Sequence, residues 1–280
     1  MKGRLSAHMA EVVGVTVLLI LSGCGATSTS NLISPSTSTP TNPTFETKTL
    51  EQYWVGDTSR GLLLYREFAR LEITSDPITA ALQALVTSQP KDLDYLSLWP
   101  SGTKINSVTV SEHEATIDLT FGKLNVGAEG EALAIAQLVW TATAADPSVT
   151  TISLTVDGKK VESLAGHVDS TQPFTRAPSY EVLAPVWITS PAEGDEIGAQ
   201  GFTLRGLAST FEANVVWRVF QNGKLVRQGF TTALEAAPAR EPWIVVIDGL
   251  APGEYEFAAM EFSAKDGSLV AQDTKSATLT

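Results

Sequence analysis

The pattern of apolar residues changes near Leu183, and this change constrains the fold more than any other feature of the sequence. Between Leu50 and Val156, segments typical of β-strands alternate with two segments of helical periodicity. After Leu183 the helical periodicity disappears, and short strand-like runs recur with turn signals about every 8–12 residues. The sequence therefore predicts an α+β domain followed by an all-β domain.

The first domain is predicted to have the order β-β-α-β-β-α-β, with helices packed on a sheet. Asp76 followed by Pro77 is typical of a helix start. Ala115, Ile117 and Leu119 alternate with polar residues, which indicates a strand with one buried face and one solvent-exposed face. The expected strands are residues 52–55, 61–73, 105–110, 115–120 and 149–156, and the expected helices are residues 77–89 and 131–144.

The second domain is predicted to be an immunoglobulin-like β-sandwich. Asn222-Gly223 is the strongest hairpin signal in the chain, and Asp266-Gly267 is the next. Trp217 is expected in the core, with Val215 and Val219 on its face. The only cysteine is Cys24, so packing alone must hold this domain. The expected strands are residues 186–190, 202–207, 214–221, 224–232, 243–247, 254–263 and 269–279.

The amino terminus has the features of an export signal. Lys2 and Arg4 precede an apolar run at residues 12–21, which is too short to cross a bilayer but suits a signal peptide. The run ends in Leu21-Ser22-Gly23-Cys24, which resembles the lipobox of bacterial lipoproteins. The resemblance implies cleavage before Cys24 and acylation of its thiol, so that chains such as palmitate anchor the protein to the membrane. The alternative is an ordinary secretory signal that contains a cysteine.

Residues 24–48 are predicted to form the acylated cysteine and a disordered tether, because Ser, Thr and Pro dominate this stretch. A cluster of prolines at 173, 178 and 185 indicates the boundary between the two domains. The predicted organisation is a lipoprotein signal peptide at residues 1–23, the tether at 24–48, the α+β domain at 49–176 and the sandwich at 183–280.

Charge and residue counts exclude several classes of protein. The 280 residues include 19 Lys and Arg against 31 Asp and Glu, which gives a net charge of -12. This balance argues against nucleic-acid binding, which needs a basic face. One cysteine and three histidines exclude a disulfide framework and a Cys/His zinc site. Neither a P-loop nor a dinucleotide fingerprint is present, so we expect no cofactor and no metal.

Asp57, Glu67, Asp118 and Glu212 are the carboxylates in the most patterned segments. A glycosidase would need two carboxylates about 5–10 Å apart. Each residue also has a structural explanation: Asp57 suits a turn, Asp118 suits a wet strand face, Glu67 suits pairing with Arg66, and Glu212 suits the capping of a strand end. We therefore predict no catalytic residue and no enzymatic activity.

The remaining candidate residues are scattered. His113 and His167 lie in predicted loops, and no Gly-x-Ser-x-Gly motif accompanies them. Asp-Gly pairs at 157, 248 and 266 are isolated, so hairpin turns explain them better than calcium sites. Most of the six tryptophans are expected in cores. Trp99, which precedes Pro100, is the best candidate for an exposed ring that stacks on a glycan.

Several segments carry a family resemblance. Residues 53–57, 62–67, 70, 80–85, 100–103, 115–119, 137–141 and 156–158 resemble the GerM N-terminal (GerMN) domain of bacterial sporulation and germination lipoproteins. The second domain resembles the immunoglobulin-like domain of bacterial spore germination proteins at residues 190–191, 206–208, 211–214, 217, 223, 253–255 and 264–268. Together the two resemblances cover residues 50–280.

The resemblance implies a non-catalytic interaction or assembly factor of the cell envelope, linked to sporulation, germination or, more generally, envelope assembly. The expected partners are the membrane, through acyl chains on Cys24, and one or more envelope proteins. The alternative function is a cell-wall glycan-binding module that uses Trp99 as a binding residue.

Overall fold

The computed structural model describes residues 46–198 and 200–280. The predicted signal peptide, the lipobox residues Leu21, Ser22 and Gly23, and Cys24 lie outside the described residues. The first strand begins at Glu46, so residues 46–48, which the sequence places in the tether, belong to a strand. Within the described residues, no helix combines the length and apolarity needed to cross a membrane.

The first domain contains two helices of more than two turns and several strands. Its elements are β1 (Glu46–Thr58), β2 (Gly61–Ile73), α1 (Pro77–Thr87), β3 (Tyr95–Leu96), β4 (Lys104–Ser111), β5 (Glu114–Thr120), α2 (Ala128–Ala145), β6 (Thr151–Val156), β7 (Lys159–Lys160) and β8 (Phe174–Thr175). The two-residue strands β3, β7 and β8 were not expected, because they are too short to show a period in the sequence.

β1 and β2 form a long antiparallel hairpin, in register from Glu46 opposite Ile73 to Thr58 opposite Gly61. Residues 53–55 and 63–65 are buried without interruption. Because successive side chains of a strand point to opposite faces, this burial means that both faces of the hairpin are covered. The helices α1 and α2 pack on the hairpin, and the second domain also contributes to this core.

The helix α1 begins as the sequence predicts. The Asp76 carboxylate accepts a hydrogen bond from the Thr79 backbone N–H at 2.8 Å, and Pro77 is the first helical residue. The predicted apolar face is buried, and it consists of Ile78, Ala81, Leu82, Leu85 and Val86. The second helix, α2, is buried on several sides, as expected from its nearly continuous apolar sequence.

Glu131, in the first turn of α2, is fully buried. Its carboxylate accepts five hydrogen bonds, from the Ser163 hydroxyl at 2.6 Å and from backbone N–H groups at 2.8–3.1 Å of Leu164, Ala165, His167 and Val168. Burial alone would raise the pKa of this carboxyl, but the Ser163 hydroxyl and the backbone donors hold it below its usual value. Glu131 thereby fixes the loop at residues 163–168 to α2.

The expectation of a single sheet in the first domain is wrong, because the strands form two sheets. One sheet has the order β2-β1-β3, and the other has the order β4-β5-β6-β7 with β8 paired to β6. Local connections explain the separation. A tight turn with Glu112 at positive φ joins β4 to β5, and α2 carries the chain from β5 to its parallel neighbour β6. Neither connection places a strand beside the β1–β2 hairpin.

A short helix, α3 (Ser179–Val182), leads into the second domain. This domain contains β9 (Val186–Ser190), β10 (Asp195–Ile197), β11 (Phe202–Ala208), β12 (Asn214–Gln221), β13 (Lys224–Thr232), β14 (Glu241–Ile247), β15 (Gly253–Phe262) and β16 (Leu269–Leu279). The sheets have the orders β10-β16-β15-β12-β13 and β14-β11-β9. Their inner faces enclose one apolar core, which is the arrangement of an immunoglobulin-like sandwich.

The turn between β12 and β13 is the one that the sequence indicates most strongly. Asn222 and Gly223 have φ values of 52° and 72°, and two positive φ values are typical of a type I′ hairpin turn. Val215 and Val219 are fully buried as expected. Trp217 is only partly buried, and its ring packs against the core and over Gly229 of the neighbouring edge strand β13.

Candidate functional site

The first candidate region is the junction between the two domains. The Tyr65 hydroxyl donates to the Gln272 carbonyl at 2.8 Å, and the Ser59 backbone N–H donates to the Val270 carbonyl at 3.1 Å. Leu183, Ala184 and Trp187 are part of the apolar core of the first domain. The strands β9 and β16 of the sandwich therefore lie against the β1–β2 hairpin.

A buried ionic cluster lies at this junction. The Lys275 ammonium donates to Asp92 at 2.5 Å, to Asp273 at 2.7 Å and to the Tyr95 hydroxyl at 2.7 Å. Tyr95 in turn donates to Asp273, which also accepts from the Ile188 backbone N–H. Each charged side chain is less than 5% exposed. The cluster therefore satisfies its charges internally, and it joins residues from both domains.

The charges of this cluster depend on one another. Burial raises the pKa of Asp273 above its usual value, although Lys275 opposes the shift. Burial would also lower the pKa of Lys275, but Asp273 and Asp92 outweigh this effect and hold the pKa above its usual value. Lys275 therefore stays charged, and it compensates the two carboxylates, which are almost fully buried.

A second contact at the junction involves two arginines and Trp187. The guanidinium carbon of Arg240 lies 4.4 Å from the centre of the Trp187 ring, and that of Arg66 lies 5.2 Å from it. Arg240 donates to the Ala184 carbonyl at 2.8 Å. Burial lowers the pKa of Arg240 to about 10, and the nearby Arg66 adds to this effect. Arg66 itself pairs with Glu51 at 2.9 Å.

The expected pairing of Arg66 with Glu67 is wrong, because adjacent residues on a strand point to opposite faces. Glu67 instead accepts hydrogen bonds from the backbone N–H groups of Lys91 and Asp92, at 3.1 and 2.8 Å. Glu67 therefore fixes the segment that supplies Asp92 to the buried cluster.

The opposite side of the sandwich is not covered by the first domain. It is formed by β13 and β14, which are edge strands of their sheets, and by the segment after β13 that contains Leu234. The Thr231 hydroxyl donates to the Ile244 carbonyl between the two strands at 3.1 Å. Phe230 and Leu234 are each 75% exposed, Val246 is 73% exposed and Ile244 is 59% exposed. We call these four residues the open edge. Exposed apolar side chains on edge strands are typical of protein-binding surfaces.

An apolar groove of about 390 Å³ extends along the open edge to the first domain. Arg66 and Arg205 provide its charged groups. Its other lining residues are mostly apolar, and they are Thr189, Gly206, Leu207, Leu234, Pro242, Trp243 and Ile244. The positive charges stand out in a chain whose net charge is -12.

Another groove, of about 440 Å³, lies on the first domain at the end of α1. We call it the α1 groove. It contains no carboxylate, and Lys104 is its only charged residue. The lining residues are Gln83, Val86, Thr87, Ser88, Gln89, Ser97, Trp99, Ser101, Gly102, Thr103, Lys104, Ile105 and Asn106.

Trp99 does not occupy the position that the sequence indicates. It is 6% exposed, so the expectation of an exposed ring is wrong. Its ring packs edge-to-face against Phe121, with a centroid distance of 5.7 Å. Trp99 therefore forms part of the floor of the α1 groove. Four of the other tryptophans, Trp54, Trp140, Trp187 and Trp243, are buried in cores as expected.

The four candidate carboxylates lie in different parts of the molecule. Asp57 is exposed near the end of β1. Asp118 accepts hydrogen bonds from Thr155 and Asn106, at 2.6 and 2.8 Å, and from the Gly158 backbone. These bonds, led by that of Thr155, lower the pKa of Asp118. Glu67 has the backbone partners described above.

Glu212 lies in a single 3-10 turn with a φ of 53°. It is exposed there, and it does not cap a strand. The histidines also lie apart from one another. His113 is exposed in the β4–β5 turn, where Nδ1 lies 2.9 Å from the Ser148 carbonyl oxygen, and the backbone N–H of His167 donates to Glu131.

Asp157-Gly158 and Asp266-Gly267 lie in the β6–β7 and β15–β16 hairpin connections, whereas Asp248-Gly249 joins β14 to β15, which belong to different sheets, so the expectation of a hairpin turn is wrong there. The glycines at 158, 249 and 267 have φ values of 75°, 66° and 73°, which side chains with a Cβ rarely adopt. Across residues 46–198 and 200–280, no three His, Cys, Asp or Glu side chains are grouped so as to hold a metal ion.

The fold and these surfaces define a two-domain protein in which an α+β unit is joined to an immunoglobulin-like sandwich. Residues 51–162 match the family model described as sporulation and spore germination. Residues 185–268 match the family model described as the immunoglobulin-like domain of bacterial spore germination. The chain thus carries a GerMN-like domain followed by an immunoglobulin-like germination domain, which confirms the resemblance.

Three solved structures are similar to slightly less than half of this chain. The first GerMN domain of the sporulation protein GerM from Bacillus subtilis has 19% identity and a TM-score of 0.39, over 46% of this chain and 98% of that one. The tandem GerMN domains of GerM have 20% identity and a TM-score of 0.38, over 47% of this chain and 45% of that one. A candidate lipoprotein from Clostridium perfringens has 23% identity and a TM-score of 0.34, over 46% and 87%. No curated protein matches the sequence.

Proposed function

We propose that this protein is a lipid-anchored, extracytoplasmic and non-catalytic interaction factor of the bacterial cell envelope that acts in sporulation or spore germination. The two family matches support the biological setting. The lipobox-like Leu21-Ser22-Gly23-Cys24 supports the anchor. Acylated anchors of this kind hold a protein at the membrane because each buried CH₂ group contributes roughly 0.8 kcal/mol.

The proposed interaction role rests on the open edge. Edge strands present unpaired backbone groups, and soluble monomers usually protect them with charges, prolines or a covering element. On the β9–β16 side, the first domain is that covering element. On the β13–β14 side, Phe230, Leu234, Ile244 and Val246 are left in solvent. A partner protein that covers this side would bury apolar surface, and burial stabilises a complex by about 25 cal/mol per Å².

The adjoining apolar groove indicates the chemistry of the partner. Arg66 and Arg205 are its only charged residues. A partner segment with aliphatic side chains and a nearby carboxylate would complement the apolar lining and the Arg205 guanidinium, since Arg66 already pairs with Glu51. The buried cluster around Lys275 supports such binding, because it holds the two domains that line the groove together.

Site-specific photo-crosslinking of the full-length chain in its host tests the interaction role. A photoreactive phenylalanine at Phe230 or Val246 should yield a crosslinked protein adduct, since both side chains face the partner. The matched control carries the same group at Leu93, which is 94% exposed on the first domain. Ile244→Glu should abolish the adduct without loss of folding, because Ile244 is exposed.

The outcomes separate the alternatives. An adduct of this chain with itself would identify the partner as a second copy. Absence of any adduct from positions 230 and 246 during vegetative growth, sporulation and germination would refute the proposal. Equal adducts from position 93 would show that the open edge is not a specific surface.

A further inference from the structure

The α1 groove has the dimensions of a small-molecule site. Its volume of about 440 Å³ falls within the range of about 300–1,000 Å³ that is typical of ligand pockets. Three connected elements form it: the end of α1, the loop between β3 and β4, and the start of β4. The Asp76 cap at the other end of α1 and the burial of the α1 apolar face hold these walls in place.

The floor and the rim of the α1 groove differ in chemistry. Val86, Trp99 and Ile105 form an apolar floor, and each is less than 10% exposed. The rim consists of hydroxyl and amide side chains together with one amine. Sugar rings have the complementary construction, with C–H groups on their faces and hydroxyl groups at their edges. Apolar floors with a few convergent polar groups are also the general pattern of ligand sites.

Several rim side chains have no competing protein partner. Ser88, Gln89, Ser101 and Lys104 are exposed, and their side chains make no hydrogen bond or ion pair within the part of the chain that the structure describes. These groups can therefore bind a ligand without first breaking a bond within the protein. Gln89 supplies both a donor and an acceptor, and each serine hydroxyl does the same.

The electrostatics of the α1 groove favour an uncharged ligand. The last carbonyl groups of a helix have no N–H partner within it, so the end of α1 offers acceptors and a partial negative charge. No basic residue lies in the last turn of α1. Lys104 is the only cation of the groove, and no carboxylate lines it. An anion would meet one lysine and the negative end of a helix, whereas a hydroxyl group would find both donors and acceptors.

We propose that the α1 groove binds a neutral carbohydrate chain of the cell-wall type through its hydroxyl and acetamido groups. The site is independent of the interaction role, because the α1 groove lies on the first domain and the open edge lies on the second. A glycan bound there would hold the anchored protein against the wall while its sandwich engages a partner.

The binding experiment uses the full-length protein in a detergent that contains no sugar. The probe is fluorescently labelled chitotetraose, and purified peptidoglycan serves as a second probe in co-sedimentation. The wild type should bind both. Gln89→Ala/Ser101→Ala should weaken chitotetraose binding at least about tenfold, because two hydrogen-bonding side chains are lost. Trp99→Ala is unsuitable, since Trp99 is buried and its loss would disturb the fold.

Matched variants control for surface effects. Gln228→Ala/Ser111→Ala removes the same two side chains at exposed positions elsewhere and should leave binding unchanged. Ser88→Trp, which fills the groove from an exposed position, should abolish binding.

Three results would overturn the proposal. The first is that neither probe binds the wild type at millimolar concentration. The second is that the groove variants bind the probes as well as the controls do. The third is that inorganic phosphate competes with chitotetraose for the groove and that Lys104→Ala abolishes this competition. None of these results would affect crosslinking at position 230, so failure of this site and failure of the interaction role remain distinguishable.

Discussion

The Nζ atom of Lys275 in the second domain lies 2.5 Å from Oδ2 of Asp92 in the first domain, and both side chains are almost fully buried. These two residues are far apart in the sequence. Their contact holds the sandwich against the first domain. It brings together two carboxylates and one ammonium that are almost fully buried, so each partner is needed to compensate the others.

We expect Lys275→Met to destabilise the protein by about 3–5 kcal/mol, because it leaves Asp92 and Asp273 buried without a cation. Urea unfolding followed by fluorescence should show this loss. We also expect the two domains of this variant to unfold in separate transitions, since the junction between them weakens. Lys160→Met, at an exposed position, is the control and should change stability by less than about 0.5 kcal/mol. An unchanged free energy of unfolding in Lys275→Met would contradict the role assigned to the cluster.

Stability should fall at alkaline pH. Burial raises the pKa values of Tyr65 and Tyr95 above their usual value, and Asp273 adds to both shifts. Above about pH 10 the unfolded chain loses these phenolic protons while the folded chain keeps them, so the unfolded state binds fewer protons and ΔG of unfolding decreases as pH rises. The raised pKa of Lys275 acts in the same direction.

Tyr65→Phe tests this pH dependence. It removes one titrating group, so the decrease above pH 10 should be shallower by up to about 1.4 kcal/mol per pH unit. Tyr180→Phe, at a half-exposed position, is the control for the loss of a tyrosine hydroxyl elsewhere in the chain. Identical slopes for the wild type and Tyr65→Phe would show that the Tyr65 hydroxyl is not buried in solution.

Glu131→Gln should cost about 2–4 kcal/mol, because the five donors around this carboxylate would lose a charged acceptor. The lowered pKa of Glu131 also predicts that its stabilising contribution is present above about pH 4.3 and is lost as pH falls through the folded-state value. The acid limb of a stability profile should therefore be flatter in Glu131→Gln. Glu129→Gln, on the exposed side of the same turn, is the control.

Gly206→Ala should destabilise the sandwich by about 3 kcal/mol or more. A Cβ at this position would lie 1.9 Å from the Trp187 carbonyl oxygen and 2.7 Å from the Trp243 ring, so backbone atoms of β9 would have to move. Gly122→Ala, where no atom lies within 4 Å of the added Cβ, should be nearly neutral. Thermal unfolding of the two variants provides the comparison, and equal melting temperatures would refute the close packing of β9 on β11.

Cys24→Ala should release the protein from the membrane fraction, because the proposed attachment site of the acyl chains would be absent. Fractionation and metabolic labelling with a palmitate analogue check this outcome. Ser22→Ala keeps a small residue before the cysteine and should remain both labelled and membrane-bound. A Cys24→Ala protein that stays in the membrane after signal cleavage would contradict lipid anchoring.

Local sequence patterns located several elements correctly. The apolar period from Ile78 to Val86 and the Asp76 cap predict α1, and Asn222-Gly223 predicts the β12–β13 turn. These patterns work because they record how nearby side chains share one face or one backbone turn. The same patterns misplaced Trp99, since burial of a loop residue depends on distant elements such as Phe121.

The α1 groove also could not be predicted from local sequence patterns. Gln89, Ser101 and Lys104 come from a helix end, a loop and a strand. Their side chains form a rim only because β4 packs on α1. In the sequence they are ordinary polar surface residues, and nothing in their spacing indicates a common site.

The sequence by itself determined the two-domain organisation, the main strands and helices, the family resemblance and the prediction of a lipid anchor at Cys24. Tertiary structure alone decided which polar residues are buried. Asp273 and Lys275 look like ordinary residues of an exposed strand, yet they are buried on β16 because Asp92 and Tyr95 pack against them. The physical reason is that periodicity records neighbours along the chain, whereas the charge partners of a buried group can lie anywhere in it.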